Sequence, residues 1–351
     1  MKLGERLSGR DNALNLVRLV LASLVVFSHT PPIAGIPANV QIGEKPLGEW
    51  AVAGFFALSG YLIAGSRVRL SFLAYLWRRA LRILPAFWVS LLAVGFLFAP
   101  LVGSWSGGHW RLAEAVDFVV RNAGLRIYQW TIGDTLGADA FQAWNGSLWT
   151  LFYEFGAYVV AGVLLSVGLV RRNSVAVFGT LVVVLPVFYQ LARGPLDIST
   201  NLYLNALWLG GFFVAGMFMW AVGDKVASDW RLAAAALAIL LVSAGIAKFL
   251  LLGPLPLAYL LLYLGGVIPW HVGAVNDISY GMYVYAFPMQ QVLAAAGFAF
   301  LGFWGFALLA IIGTVPLAWL SWKLVEQPAM RYRSLVPNTH ASLSTADSSG
   351  G

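Results

Sequence analysis

Two side chains on one predicted helix could do chemistry together. Arg18 and His29 lie eleven residues apart in the apolar run "RLVLASLVVFSH". Eleven helical steps return to within about 20° of three full turns, so both fall on one stripe, about 16–17 Å apart along the axis. A guanidinium holds anions, and an imidazole with an ordinary pKa of about 6.5 can remove a proton from a hydroxyl. Glu154 in "WNGSLWTLFYEFGAY" sits about 9 Å inside another apolar run. A carboxylate at that depth is protonated, paired or wet, and pairing with His29 would orient the imidazole. Arg78, Arg79 and Arg82 form the third group, spaced i,i+3 and i,i+4 so that two can clamp one anion. Ser59, beside Gly60 in "FFALSGYLIAG", is a weaker polar contact, in a pattern that also suits close helix packing. Each group has a bland reading too. Arg18 snorkels to headgroups, His29 sits in the outer interface, Glu154 makes a structural hydrogen bond, and the arginine cluster anchors anionic lipid.

The elements carrying these residues are membrane spans. Of 351 residues, 60% are apolar and 11% charged, against about 25% charged in a soluble chain. An ordinary soluble globule is excluded. Runs long enough for spanning helices occur near 14–30, 49–65, 84–102, 148–170, 174–191, 204–221, 232–252, 257–270, 278–298 and 303–320. The eighth is short and ends in "LGGVIP", which reads as a helix broken inside the protein. Fold class is therefore all-α: a polytopic integral membrane protein of about ten transmembrane helices spanning residues 1–336, with a polar, disordered tail at 337–351. With the N-terminus inside, fifteen of the 22 Lys and Arg fall in inner segments and six in outer ones. That bias predicts both termini in the cytoplasm. The net charge of +7 is thus topology, and nucleic acid is not an expected partner.

The first run resembles a signal peptide, but Arg18 interrupts it and no small-x-small site follows, so it reads as a retained helix that stops at Pro31 and Pro32. Residues 67–83, with arginines gathered at their end, read as an amphipathic helix on the inner surface. The long outer segment 103–147 carries Trp105, Trp110, Trp130 and Trp144, which could stack on sugar rings or form an aromatic belt. Cysteine is absent and no metal-ligand cluster is apparent.

"LNLVRLVLASLVVFSH", "FFALSGYLI", "RRALRILPAFW", "NGSLWTLFYEF", "DISYGMYVYAFP" and "KLVEQP" occur in the order and spacing of the acyltransferase-3 family. The resemblance runs from about residue 14 to 328. It implies a membrane O-acyltransferase of the bacterial inner membrane, moving an acyl group, most often acetyl from acetyl-CoA, to a hydroxyl of a surface polysaccharide, lipopolysaccharide or related glycan. It implies catalysis by His29 with Glu154. The acyl donor falls to Arg79, Arg82 and Arg18, with Arg78 and Ser59 beside them. Acyl-CoA enters as co-substrate, with no permanently bound cofactor and no metal. The glycan acceptor, the bilayer and glycan-assembly proteins are the implied partners. His29 would act either as general base or by becoming acylated. Two positions depart from the family pattern: Asn15 stands where many relatives have Asp, and Ala286 where many have a histidine. The rival class is a transporter or export permease without chemistry, which would also explain intramembrane Arg18 and Glu154. A third reading is an inactive membrane partner within a glycan-assembly complex.

Overall fold

A computed structural model describes residues 1–9, 12–138, 141–246, 249–270, 272–273 and 276–338. In a bilayer core each apolar run must satisfy its own backbone, and the runs accordingly form helices. They are α1 (Leu14–Ala34), α2 (Leu47–Val68), α3 (Phe72–Ser106), α4 (Leu112–Asn122), α5 (Thr150–Leu164), α6 (Ser174–Arg193), α7 (Asn201–Val222), α8 (Trp230–Gly245), α9 (Pro254–Val267), α10 (Ser279–Ala295) and α11 (Phe298–Leu335). A two-residue antiparallel hairpin, Gln41–Ile42 with Lys45–Pro46, is the one strand pair among the described residues.

Six helices, α1, α2, α3, α6, α7 and α11, are long and apolar enough to cross a membrane. The other four expected spans are shorter helices: α5, α8, α9 and α10. The chain is a multi-pass membrane protein. Large apolar side chains such as Val183, Trp304 and Ile312 are exposed, which is the outer face a lipid-embedded bundle presents.

Two local expectations change. Helix α1 runs through Pro31 and Pro32 to Ala34, where Gly35 caps it at φ 64°. The separate surface helix at 67–83 does not exist. The arginines gathered at its end, Arg78, Arg79 and Arg82, belong to the 35-residue α3, which continues past Pro85 and through a π-helical turn at Val94–Phe98. A proline removes one hydrogen bond and can be carried within a long packed helix. Residues 339–351, most of the expected tail, lie outside the described residues. Asn338, at its start, hydrogen-bonds the backbone of Arg69 and Ser71.

The basic segments gather at one end. Leu3 and Gly4 hydrogen-bond the turn after α7, at Val226 and Gly223. Arg67, at the end of α2, is buried and donates to Gly162, Leu70 and Ser166. Helices α2 and α7 run side by side in the same direction, so both tips belong to this end. A Cβ on Gly60 would lie 1.9 Å from the Phe213 carbonyl oxygen, and one on Gly216 1.9 Å from that of Ala57. Backbone touches backbone there, the small-residue packing expected in lipid. Gly60→Val must separate the helices and is expected to cost about 3 kcal/mol or more. Wild-type melting of the purified Gly60→Val protein would refute the close approach.

Candidate active site

Two chambers lie in series along α1. The lower, nearer the basic end, is lined by Arg18, Arg79, Arg82, Glu154, Tyr158 and Tyr280, among others, and encloses about 60 Å³. The upper is lined by His29, Ser28, Glu49, Trp149 and Trp208, among others, and encloses about 300 Å³. Val52, Thr150 and Tyr283 line both. The shared stripe read from the eleven-residue spacing is therefore real: Arg18 and His29 open onto successive chambers beside one helix.

His29 Nδ1 lies 2.9 Å from the Val25 carbonyl oxygen. A carbonyl can only accept, so Nδ1 carries the proton and the Nε2 lone pair is free. That is the tautomer a base acting through Nε2 needs. The ring also meets Phe287 edge-on, with centroids 5.0 Å apart. The expected pairing of His29 with Glu154 does not form. Glu154 lies in the lower chamber and accepts hydrogen bonds from Ser59 Oγ at 3.1 Å and from Tyr158 Oη. Backbone geometry within α1 holds the imidazole instead. Ser59 is thus a partner of Glu154, while its neighbour Gly60 serves the helix contact.

The three arginines of α3 separate in role. Arg82 is spent on carboxylates: Nη1 lies 2.6 Å from Glu326 and Nη2 2.5 Å from Asp277. Its guanidinium also sits over the rings of Tyr280 and Trp322. Asp277 Oδ1 accepts from Ser279 N and Oγ at the start of α10, and Glu326 Oε1 accepts from Ser321. Burial, the largest influence, raises the Asp277 carboxyl, but the charges of Arg82 and Arg18 and the hydrogen bonds from Ser279 together outweigh it and hold the group below its ordinary range. Arg79 makes one hydrogen bond, to Ser66 at 3.2 Å, and its Nε is buried without a partner. Arg18 has no hydrogen bond or ion pair among the described residues, and its Nε is likewise unpartnered. Arg78 lines neither chamber. The cations left for an anion are Arg18 and Arg79, one from each of two helices, rather than an i,i+4 clamp on one.

Sequence reading missed Asp277 and Glu326, although both stand in segments it had singled out, "DISYG" and "KLVEQP". Buried Arg82 required two counter-charges, and the carboxylates of those segments were the signal. Two tryptophans outside the 103–147 segment, Trp149 and Trp208, line the imidazole chamber. Trp144 is fully buried and donates to Thr135.

A profile of the acyltransferase-3 family, an acyltransferase domain, matches residues 11–323. The chain belongs to the acyltransferase-3 family. An "O-acetyl transferase" of Shigella phage Sf6 is 30% identical over 334 residues, covering 91% of this chain and 96% of that protein. "Nodulation protein 10" of Rhizobium leguminosarum bv. viciae is 27% identical, covering 94% of this chain and 96% of its own length. No solved structure gives a significant match. The chain is accordingly an O-acyltransferase, a multi-pass membrane enzyme of this family. Ala286, in the place of the family's second histidine, is buried against Val26 and Ala310. Asn15, the other departure, donates to the Gly273 carbonyl at 2.9 Å.

Proposed function

We propose that this acyltransferase moves a short acyl group, acetyl above all, from an acyl-CoA to a hydroxyl of a cell-surface carbohydrate. The observation that carries the reading is the succession of a cationic chamber and an imidazole chamber with a common wall. The phosphates of the coenzyme meet Arg18 and Arg79, the guanidiniums lining the lower chamber whose Nε is buried without a partner, and the thioester points toward the shared residues. Arg82 braces that floor through its two carboxylates. The acceptor hydroxyl enters the upper chamber and gives its proton to His29 Nε2 as its oxygen attacks the thioester carbonyl carbon. Collapse of the tetrahedral intermediate breaks the carbon–sulfur bond, and the departing thiolate takes the proton back from the imidazolium. Glu154, held by Ser59 and Tyr158, shapes the donor chamber. Val25 takes the orienting task.

In this reading the basic end is cytoplasmic and carries both termini, and the four shorter helices complete ten crossings of a bacterial inner membrane. Acyl-CoA then arrives from the side where Arg18 and Arg79 lie, and the glycan from the other. The name of the phage O-acetyl transferase supports the reaction class. Surface glycan from a deletion strain, analysed by mass spectrometry, is expected to lose the mass of one acyl group per modified sugar. Loss of the whole polymer would select an export role instead.

Arg18→Ala and Arg79→Ala are each expected to raise the apparent KM for acetyl-CoA at least about 10-fold, the scale of one charged hydrogen bond. Their melting in detergent should stay near wild type, since neither guanidinium is paired with a carboxylate. An unchanged KM in both variants would remove the donor from the lower chamber.

A further inference from the structure

Both chambers meet at three side chains. Val52 comes from α2, Thr150 from the first turn of α5 and Tyr283 from α10. Thr150 Oγ1 and Tyr283 Oη hydrogen-bond each other, closing the gap between α5 and α10. Both hydroxyls also reach the Ser147 carbonyl, Tyr283 Oη at 2.6 Å and Thr150 Oγ1 at 3.3 Å, so two hydroxyls and one carbonyl form a closed cluster. The Tyr283 ring is steadied edge-on by Phe55, with centroids 5.8 Å apart. Thr150 and Tyr283 are both buried. The result is a partition of fixed geometry built from three separate helices.

A thioester held over Arg18 and Arg79 has to bring its carbonyl carbon within reach of a hydroxyl beside His29. The acyl group must therefore enter the plane of this partition. We propose that Val52, Thr150 and Tyr283 form the aperture that selects the acyl group by bulk, admitting acetyl and rejecting longer chains. The inference rests on the donor and acceptor chambers proposed above. One extra methylene against an apolar wall changes discrimination about 10- to 200-fold, so removing wall atoms has a readable effect. The isopropyl of Val52 and the methyl of Thr150 are the atoms to remove, because Tyr283 makes the shorter bond to Ser147 and its whole ring would go with it.

The test uses the purified full-length protein with acetyl-, propionyl- and butyryl-CoA and membranes from the deletion strain as acceptor. Release of coenzyme A is followed by a thiol reagent, since the protein contributes no cysteine of its own. Val52→Ala and Thr150→Ala are expected to raise the butyryl-to-acetyl ratio of kcat/KM at least about 10-fold. Thr150→Val, which keeps the bulk and removes the hydroxyl, is expected to leave that ratio within about twofold of wild type. A gained activity on butyryl-CoA cannot arise from misfolding. If both widened variants keep the wild-type ratio, the partition does not select the donor. If the wild-type protein transfers from no acyl-CoA at all, the donor assignment itself fails and takes this inference with it.

Discussion

His29→Ala is expected to reduce acyl transfer about 10²- to 10⁴-fold, the contribution of a positioned general base. The protein should still fold and insert. The imidazole's one polar contact is with the carbonyl of Val25, four residues back in the same helix, so its removal leaves no charge unpaired. The upper chamber would gain space and lose its base. His29→Gln is the sharper variant. An amide near the same position preserves much of the volume and can donate to Val25, yet has no basic nitrogen. Equal losses in the two variants, at wild-type membrane levels, fit proton removal. Recovery of activity by Gln would make His29 a shape element and return the base to another group. Glu154→Gln separates the carboxylate from the imidazole in the same assay. Its hydrogen-bond partners are Ser59 and Tyr158, so its effect should fall on acyl-CoA binding more than on the pH dependence of turnover.

The second large effect is structural. Asp277→Asn or Glu326→Gln should each destabilise the protein by about 3–5 kcal/mol, the cost of leaving a buried charge with one partner removed. Arg82 holds α3 to the start of α10 and to the π-helical turn at Trp322–Glu326, so the loss should appear as melting of the whole bundle in detergent. Against the raising effect of burial, Arg82, Arg18 and Ser279 together hold the Asp277 carboxyl below its ordinary value of 3.8, so its contribution is present above that pH and fades as pH falls through the lower, folded value. Catalysis discriminates this role from direct phosphate binding. If Arg82 gripped the donor, freeing it with Asp277→Asn would lower the KM for acetyl-CoA. If it is a brace, KM stays or rises while the melting temperature drops. A variant that melts like wild type and binds donor more tightly would overturn the brace.

Much of this was legible because helical periodicity is local. The eleven-residue interval between Arg18 and His29 places both on one stripe whatever else the chain does, and the two chambers follow that stripe. Hydropathy likewise located the other helices named above, but not α4, which lies within the outer segment 103–147. What failed was lateral. Depth put Glu154 near His29, but depth does not say which neighbour a helix faces, and α5 turns this carboxylate toward Ser59 of α2. Proline misled at the end of α1. The residue before a proline disfavours the helical region, so a stop was expected at Pro31 and Pro32. Packing carried the helix through both. Arginine spacing on α3 also suggested a clamp, whereas the partners that claim Arg82 stand 195 and 244 residues away, beyond the reach of any pattern in a local window.

Those long separations bear on how the enzyme is made. A ribosome delivers Arg82 to the membrane with the first third of the chain, and the two anions that neutralise it emerge only near the close of synthesis. Until then the nascent bundle carries a bare cation within an apolar helix and waits for its own carboxyl-terminal portion. Polypeptides halted before Asp277 are consequently marked as unfinished, and any surveillance that recognises an unneutralised charge in lipid will see them.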